Sequence, residues 1–159
     1  MKKLLLILLI VSFNTYGLTA SQAAKTAVKM ASSYIPFTVD HLTITDMYSI
    51  NDTIVHKVIF HDVDRDLISG YRKLFGIEGA KSFIELQSRS QGMSAAADMC
   101  ISDEGFKEAL DIGVFMIYQY YDNDENFLYK YSFDKSVCSN IEKDYKALEK
   151  RIDQIWESR

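Results

Sequence analysis

The chain has 159 residues, of which 18 are basic and 22 acidic, giving a net charge of −4, and 13% are aromatic. That length fits one domain with a modest core. The basic residues are scattered through an acidic chain, which leaves no phosphate-neutralising surface and excludes nucleic acid as a partner.

The first residues, MKKLLLILLIVSF, set two lysines ahead of an apolar run of about ten residues, and small or polar residues follow. This is the layout of a secretory signal, with Ser21 and Ala23 at the −3 and −1 positions for cleavage after Ala23. The run is shorter than the roughly 20 apolar residues of a bilayer span, so cleavage is expected rather than a retained anchor. No cysteine lies in the leader, which excludes a lipoprotein signal. The expected division is a signal peptide (or uncleaved anchor) at 1–23 and a single periplasmic domain at 24–159. Contact with the inner membrane would come only through that signal or through a partner. Loss of Lys2 and Lys3 with the leader shifts the net charge from −4 to −6.

From Gln22 to Tyr34, alanines and Val28 at helical spacing predict a first helix, which Pro36 ends by holding Ile35 extended. From Phe37 to Phe60 the alternation predicts a hairpin turning at Asn51 and Asp52. Its register sets Ile44 opposite Ile59, Asp46 opposite Lys57 and Tyr48 opposite Val55. Residues 62–99 read as interrupted helix: Asp64 or Asp66 as a cap, Leu67 to Phe75 as an apolar set, breaks at Gly76 and Gly79, and a polar loop from Ser88 to Gly92.

Ser102, followed by Asp103 and Glu104, reads as the start of a short helix that Gly113 stops. Two aromatic strands follow, Val114 to Tyr121 and Phe127 to Phe133, joined by a polar turn from Asp122 to Asn126. Period-two alternation puts Phe127, Tyr129, Tyr131 and Phe133 on one face, and Tyr118 and Tyr120 extend the ring-rich hairpin. This wall is either core beneath a helix or, in the sharper reading, a face for a partner or ligand. The last helix carries Ile141, Tyr145, Leu148, Ile152 and Ile155 on one stripe, with Ser139 and Glu142 in capping-box spacing and Trp156 near its end. It is expected to pack on the sheet.

The two cysteines, Cys100 and Cys138, are the only ones in the chain, and in an oxidising compartment they are expected to form a disulfide. Their separation in sequence argues against a redox-active pair. No metal site is expected, because the three histidines, His41, His56 and His61, lack ligand spacing. Asp122, Asp124 and Asn126 imitate the opening of a calcium loop, but Phe127 stands where glycine is needed and Phe133 where glutamate is needed. With no hydrolase, metalloprotease or phosphate-loop motif, neither catalytic residues nor a cofactor is expected and the chain reads as a non-enzyme. The fold class that follows is α+β: a small single domain with two antiparallel hairpins packed against N-terminal, central and C-terminal helices, held by one disulfide.

The leader, the segment Ile35-Pro36-Phe37-Thr38-Val39-Asp40, the block from Cys100 to Cys138 and the strand end Tyr118-Gln119-Tyr120-Tyr121-Asp122 together resemble a group of small exported proteins. Within it the chain looks most like the periplasmic accessory proteins of ToxR-like membrane transcription activators in pH 6 antigen and Myf fimbrial operons. That resemblance implies a partner, a membrane-bound regulatory protein whose periplasmic part would be bound and stabilised so that fimbrial or virulence genes are expressed. It carries no binding residue with it. The alternatives are a periplasmic immunity or inhibitor protein and a small-ligand carrier using the aromatic sheet face.

Overall fold

The computed structural model describes residues 17–39, 42–61, 65–101, 104–157, with the side chains of some helical residues left aside. Helix α1, Ala20–Ala31, begins one residue after Thr19, whose side chain accepts from the Gln22 N–H while the Gln22 side chain accepts from the Thr19 N–H. This reciprocal pair satisfies donors that a helix start otherwise leaves orphaned. A 3₁₀ turn at Ser32–Tyr34 follows, and Ile35 ahead of Pro36 is extended, as the sequence requires.

A five-stranded sheet takes the chain order β1 (Phe37–Val39), β2 (Leu42–Ile50), β3 (Thr53–Phe60), β4 (Phe115–Tyr121) and β5 (Phe127–Phe133). Strands β2 and β3 form the expected hairpin, and Asn51 at its turn takes the left-handed backbone, with φ of 55°. Tyr48 pairs with Val55 and Asp46 with Lys57, as expected; Ile44, however, pairs with Val58 and Thr43 with Ile59. A bulge between Ile44 and Asp46 shifts the upper half of the ladder by one residue, which alternation alone does not reveal.

The two hairpins join through β3 and β4, which run parallel. A parallel pair needs a long crossover, and the helices between the hairpins supply it. They are α2, Arg65–Ile101, and α3, Glu104–Asp111. Gly76, with φ of 70°, divides α2 where a break is expected, but Gly79 and the stretch from Ser88 to Gly92 are helical. The reason is packing. Ser88, Ser90, Gly92, Ala95 and Ala96 are buried small residues of α2; Ser90 donates to the Glu149 carboxylate of the C-terminal helix, and a Cβ built on Gly92 would stand 2.5 Å from the Tyr131 Cβ on β5. The run is polar enough to suggest a loop, but its serines are buried and Gly92 lets helix and strand approach. Gly92→Ala should therefore cost about 1–3 kcal/mol through overpacking, read as a lower denaturation midpoint. A midpoint equal to that of the wild type would mean that the helix sits farther from Tyr131.

After β5, Asp134 caps the short helix α4, Lys135–Cys138, and α5 spans Ile141–Glu157. The expected stripe is present: Ile141, Leu148 and Ile152 are buried, and Tyr145 and Ile155 pack beside them. Two details differ from expectation. Ser139 closes α4, its hydroxyl donating to the Ser136 carbonyl, so it is not the cap of α5. The stripe of α5 also packs mainly on α2 rather than on the sheet. Cys100 at the end of α2 and Cys138 at the end of α4 are bonded, with Cα atoms 5.4 Å apart. The architecture is thus α+β, a five-stranded mixed sheet with its helices and one disulfide. The expected caps at Asp64 and Ser102 and the side chains of Leu67 to Tyr71, Phe75 and Trp156 lie outside the described residues.

Candidate functional site

The aromatic hairpin divides into core and surface. Tyr118, Tyr120 and Phe133 are 6%, 2% and 1% exposed and join a core cluster with Ile54, Val58, Met99 and the alanines of α1 and α2. Burial pushes the Tyr120 phenol well above its usual range, so this ring is a packed hydrophobe at any ordinary pH. Tyr129 and Tyr131 are half-buried against the same cluster. Phe127 leaves the wall. A bulge between Tyr120 and Tyr121 pairs Tyr121 with Phe127 and turns that ring outward, 58% exposed and edge-on to Tyr121 at 5.8 Å. Of the six rings that could form a partner or ligand face, the sheet holds three inside the core, and only Tyr129, Tyr131 and Phe127 reach the surface.

The turn at Asp122 to Asn126 is held by its own side chains. The Asp122 carboxylate accepts from the Asp124 and Asn126 N–H groups and from the Asn126 amide, which occupies the oxygens a cation would need. Among the described residues no cluster of histidine, cysteine and carboxylate groups could hold a metal ion. His61 braces this turn, its Nδ1 lying 2.9 Å from the Asn123 side-chain oxygen and its Nε2 2.6 Å from the Thr43 hydroxyl. Lys57 ties down the same turn at 2.8 Å from Glu125 while sitting over the Tyr121 ring. His41 lies outside the described residues.

His56 is a buried polar side chain, although nothing in the sequence sets it apart from an ordinary surface or half-buried histidine. It lies 2% exposed in the middle of the sheet, stacked flat on Tyr118 with centroids 4.4 Å apart, and its Nδ1 has no hydrogen-bond partner. Desolvation pushes its pKa down from 6.5 to about 4, while hydrogen bonding to the main chain at Ile117 pulls weakly the other way.

An open groove of about 780 Å³ lies where the parallel strands β3 and β4 begin and β5 ends. Three pieces of local chemistry build it. The end of α3 turns at Gly113, with φ of 94°, so that Leu110 is buried beneath the groove and Phe115 starts β4 with its N–H donating to the Asp52 carbonyl at 3.0 Å. The β2–β3 turn contributes Asp52 and Thr53. On the far side, Asp134 caps α4, and the Ser136 hydroxyl and N–H both donate to its carboxylate, holding its pKa below the usual carboxylate value. Asp111, Asp134 and Asp52 line the opening; Lys135, the cation among the lining residues, is paired to Asp111 at 2.8 Å. The groove therefore offers apolar contact beneath a net-acidic rim with several hydroxyls. Sequence reading misses it because its residues come from three separate segments that only the parallel pairing of β3 and β4 brings together.

No protein-family model matches the chain, and no curated protein matches it. Solved structures do. The type II secretion system pilotin AspS from Vibrio cholerae aligns with a TM-score of 0.52 at 13% identity, over 75% of this chain and 92% of that one. The type II secretion pilotin EpsS from Vibrio vulnificus aligns at 0.51 and 11%, over 75% and 91%. A Pseudomonas aeruginosa protein described as a candidate secreted protein aligns at 0.52 and 14%, over 75% and 92%. These similarities establish a shared fold and correct the expected relationship. None of the three is an accessory protein of a ToxR-like activator, so the regulatory role in fimbrial expression, the membrane-bound regulatory partner and attachment to the inner membrane are not carried forward. Nor is there support for the immunity-protein or ligand-carrier alternatives. The resemblance rests on a leader, the segment from Ile35 to Asp40, the block from Cys100 to Cys138 and the strand end at Tyr118 to Asp122, none of which specifies a partner. Among the described residues, no helix is long and apolar enough to cross a membrane.

Proposed function

We propose that this protein is an exported, non-catalytic docking protein of the pilotin kind, whose role is to hold a segment of an envelope secretion machinery. The observation that carries the reading is the groove at the base of the sheet, apolar below and acidic at its rim, on a fold that aligns over nine-tenths of two type II secretion pilotins. A segment carrying an apolar side chain next to lysine or arginine complements it: the apolar group meets Leu110 and Phe115, and the cation faces Asp52, Asp111 and Asp134. Rim charges chiefly affect association rate and salt dependence, so binding should weaken as salt rises.

The test is a titration of the purified protein with synthetic segments from secretion-machinery subunits, half with a basic-apolar motif and half with its charge reversed. Saturable binding confined to the basic segments, and weakened at least tenfold by the paired change Asp52→Lys and Asp111→Lys at unchanged melting temperature, is the expected result. Equal affinity for both charge classes, or no effect of the paired change, would overturn the assignment of the groove.

A further inference from the structure

We infer that export processing cuts the Gly17–Leu18 bond, so that the mature chain begins at Leu18 and keeps the whole capping structure of α1. Secretory cleavage requires small residues at −3 and −1 shortly after an apolar run. Four bonds after MKKLLLILLIVSF meet that condition, those following Gly17, Thr19, Ser21 and Ala23, with Thr15, Gly17, Thr19 and Ser21 respectively at −3. Sequence rules do not choose among them. Their products differ in how much of the folded domain they keep.

A cut after Ala23 makes Ala24 the first residue. Ala24 is 0% exposed inside the core cluster, so the new α-ammonium would sit at a buried position on the first turn of what remained of α1, where desolvation and the positive end of the helix dipole both oppose it. It would also remove Ala23, itself 1% exposed, together with Thr19 and Gln22. A cut after Ser21 leaves Gln22 without its capping partner. A cut after Thr19 removes the cap itself, whose side chain accepts from the Gln22 N–H at 3.3 Å. Only the cut after Gly17 retains Thr19 with an intact amide, which donates to the Gln22 side chain at 2.9 Å. Gly17 is exposed, and a side chain built on it would meet nothing within 4 Å.

The reaction is hydrolysis by a membrane signal endopeptidase. Water adds across the Gly17–Leu18 amide, leaving a carboxylate on Gly17 of the released leader and an ammonium on Leu18 of the mature protein. This site is independent of what the groove binds.

The experiment is N-terminal labelling and mass spectrometry of the protein taken from the cell envelope, for the wild type and two variants. The wild type should begin at Leu18. Gly17→Leu, with a bulky residue at −1 of this bond and at −3 of the bond after Thr19, should yield no chain beginning at Leu18, leaving full-length precursor or chains cut after Ser21 or Ala23. Ser21→Leu removes a small residue from two of the three downstream bonds, those after Ser21 and Ala23, and should still begin at Leu18. A wild-type terminus at Ala20, Gln22 or Ala24, an uncut wild type beginning at Met1, or a Leu18 terminus in Gly17→Leu would each overturn the inference.

Discussion

Replacing Cys100 or Cys138 with serine is expected to lower stability by about 4 kcal/mol, the chain-entropy value for a closed loop of this size. The bond joins residues 38 apart and ties the end of α2 to the end of α4, so the loop it closes contains α3 and the whole aromatic hairpin. Cys100 and Cys138 both pack against the core cluster, so the serine left behind also places a hydroxyl against apolar neighbours. For a domain of this length, 1 kcal/mol moves the melting temperature by roughly 2–8 °C, so a fall of about 10 °C or more is expected under oxidising conditions. Calorimetry of the two single variants and the double variant checks this: all three should melt alike, since each lacks the same bond. A melting curve that matched the wild type would show that the loop is held by packing alone. Because the groove is bounded by α3 and α4, the same variants should lose binding in the docking titration as temperature rises toward their lower midpoint.

Stability should also fall between pH 6.5 and pH 4, through His56. Its folded pKa, about 4, lies below the unfolded value of 6.5. Above pH 6.5 the ring is neutral in both states and contributes no difference. Below that value the unfolded chain takes up the proton first, so the folded state loses ground until the folded ring titrates near pH 4. At about 1.4 kcal/mol per unit the whole loss is on the order of 3 to 4 kcal/mol. The cause is the site itself: a ring stacked on Tyr118, almost fully removed from water, with an orphaned Nδ1 and no carboxylate bonded to it to receive an added proton. Chemical denaturation at pH 7 and pH 4.5 on the wild type and on His56→Phe, which keeps a ring over Tyr118, measures it. The variant should lose markedly less stability between the two pH values. Equal losses would assign the acid response to other groups.

How much of this could be seen in the sequence depends on how local the cause is. The hairpin at Asn51–Asp52, the stop at Gly113, the stripe on α5 and the cysteine pair are set by neighbours within a few residues or by composition, and each appears in the fold as expected. The bulges at Ile44/Asp46 and Tyr120/Tyr121 are not local in that sense. They arise where two strands must meet across the sheet, and they move Ile44 to a new partner and Phe127 out of the ring wall. Ser88 to Gly92 misleads for a related reason: its polarity suits a loop, and only the distant partners Glu149 and Tyr131, which meet Ser90 and Gly92, make it a buried stretch of helix. The candidate site was the least legible part. Asp52, Asp111 and Asp134 are distant in sequence, and each has an ordinary local role in a turn, an ion pair or a cap that gives no hint of a shared groove. The alignment of β3 parallel to β4, produced by the helical crossover, is what brings them to one end of the sheet.

The docking account is tested most directly by crosslinking from a photoreactive side chain placed at Ser136, on the wall of the groove, in cells that are assembling an envelope secretion machinery, with the attached peptide then sequenced. The account predicts a peptide from a subunit of that machinery, carrying lysine or arginine beside an apolar residue, and loss of the crosslink when Asp52 and Asp111 are both changed to lysine. A crosslink only to a membrane transcription activator or to a soluble hydrolase, or an undiminished yield from the charge-reversed protein, would contradict it.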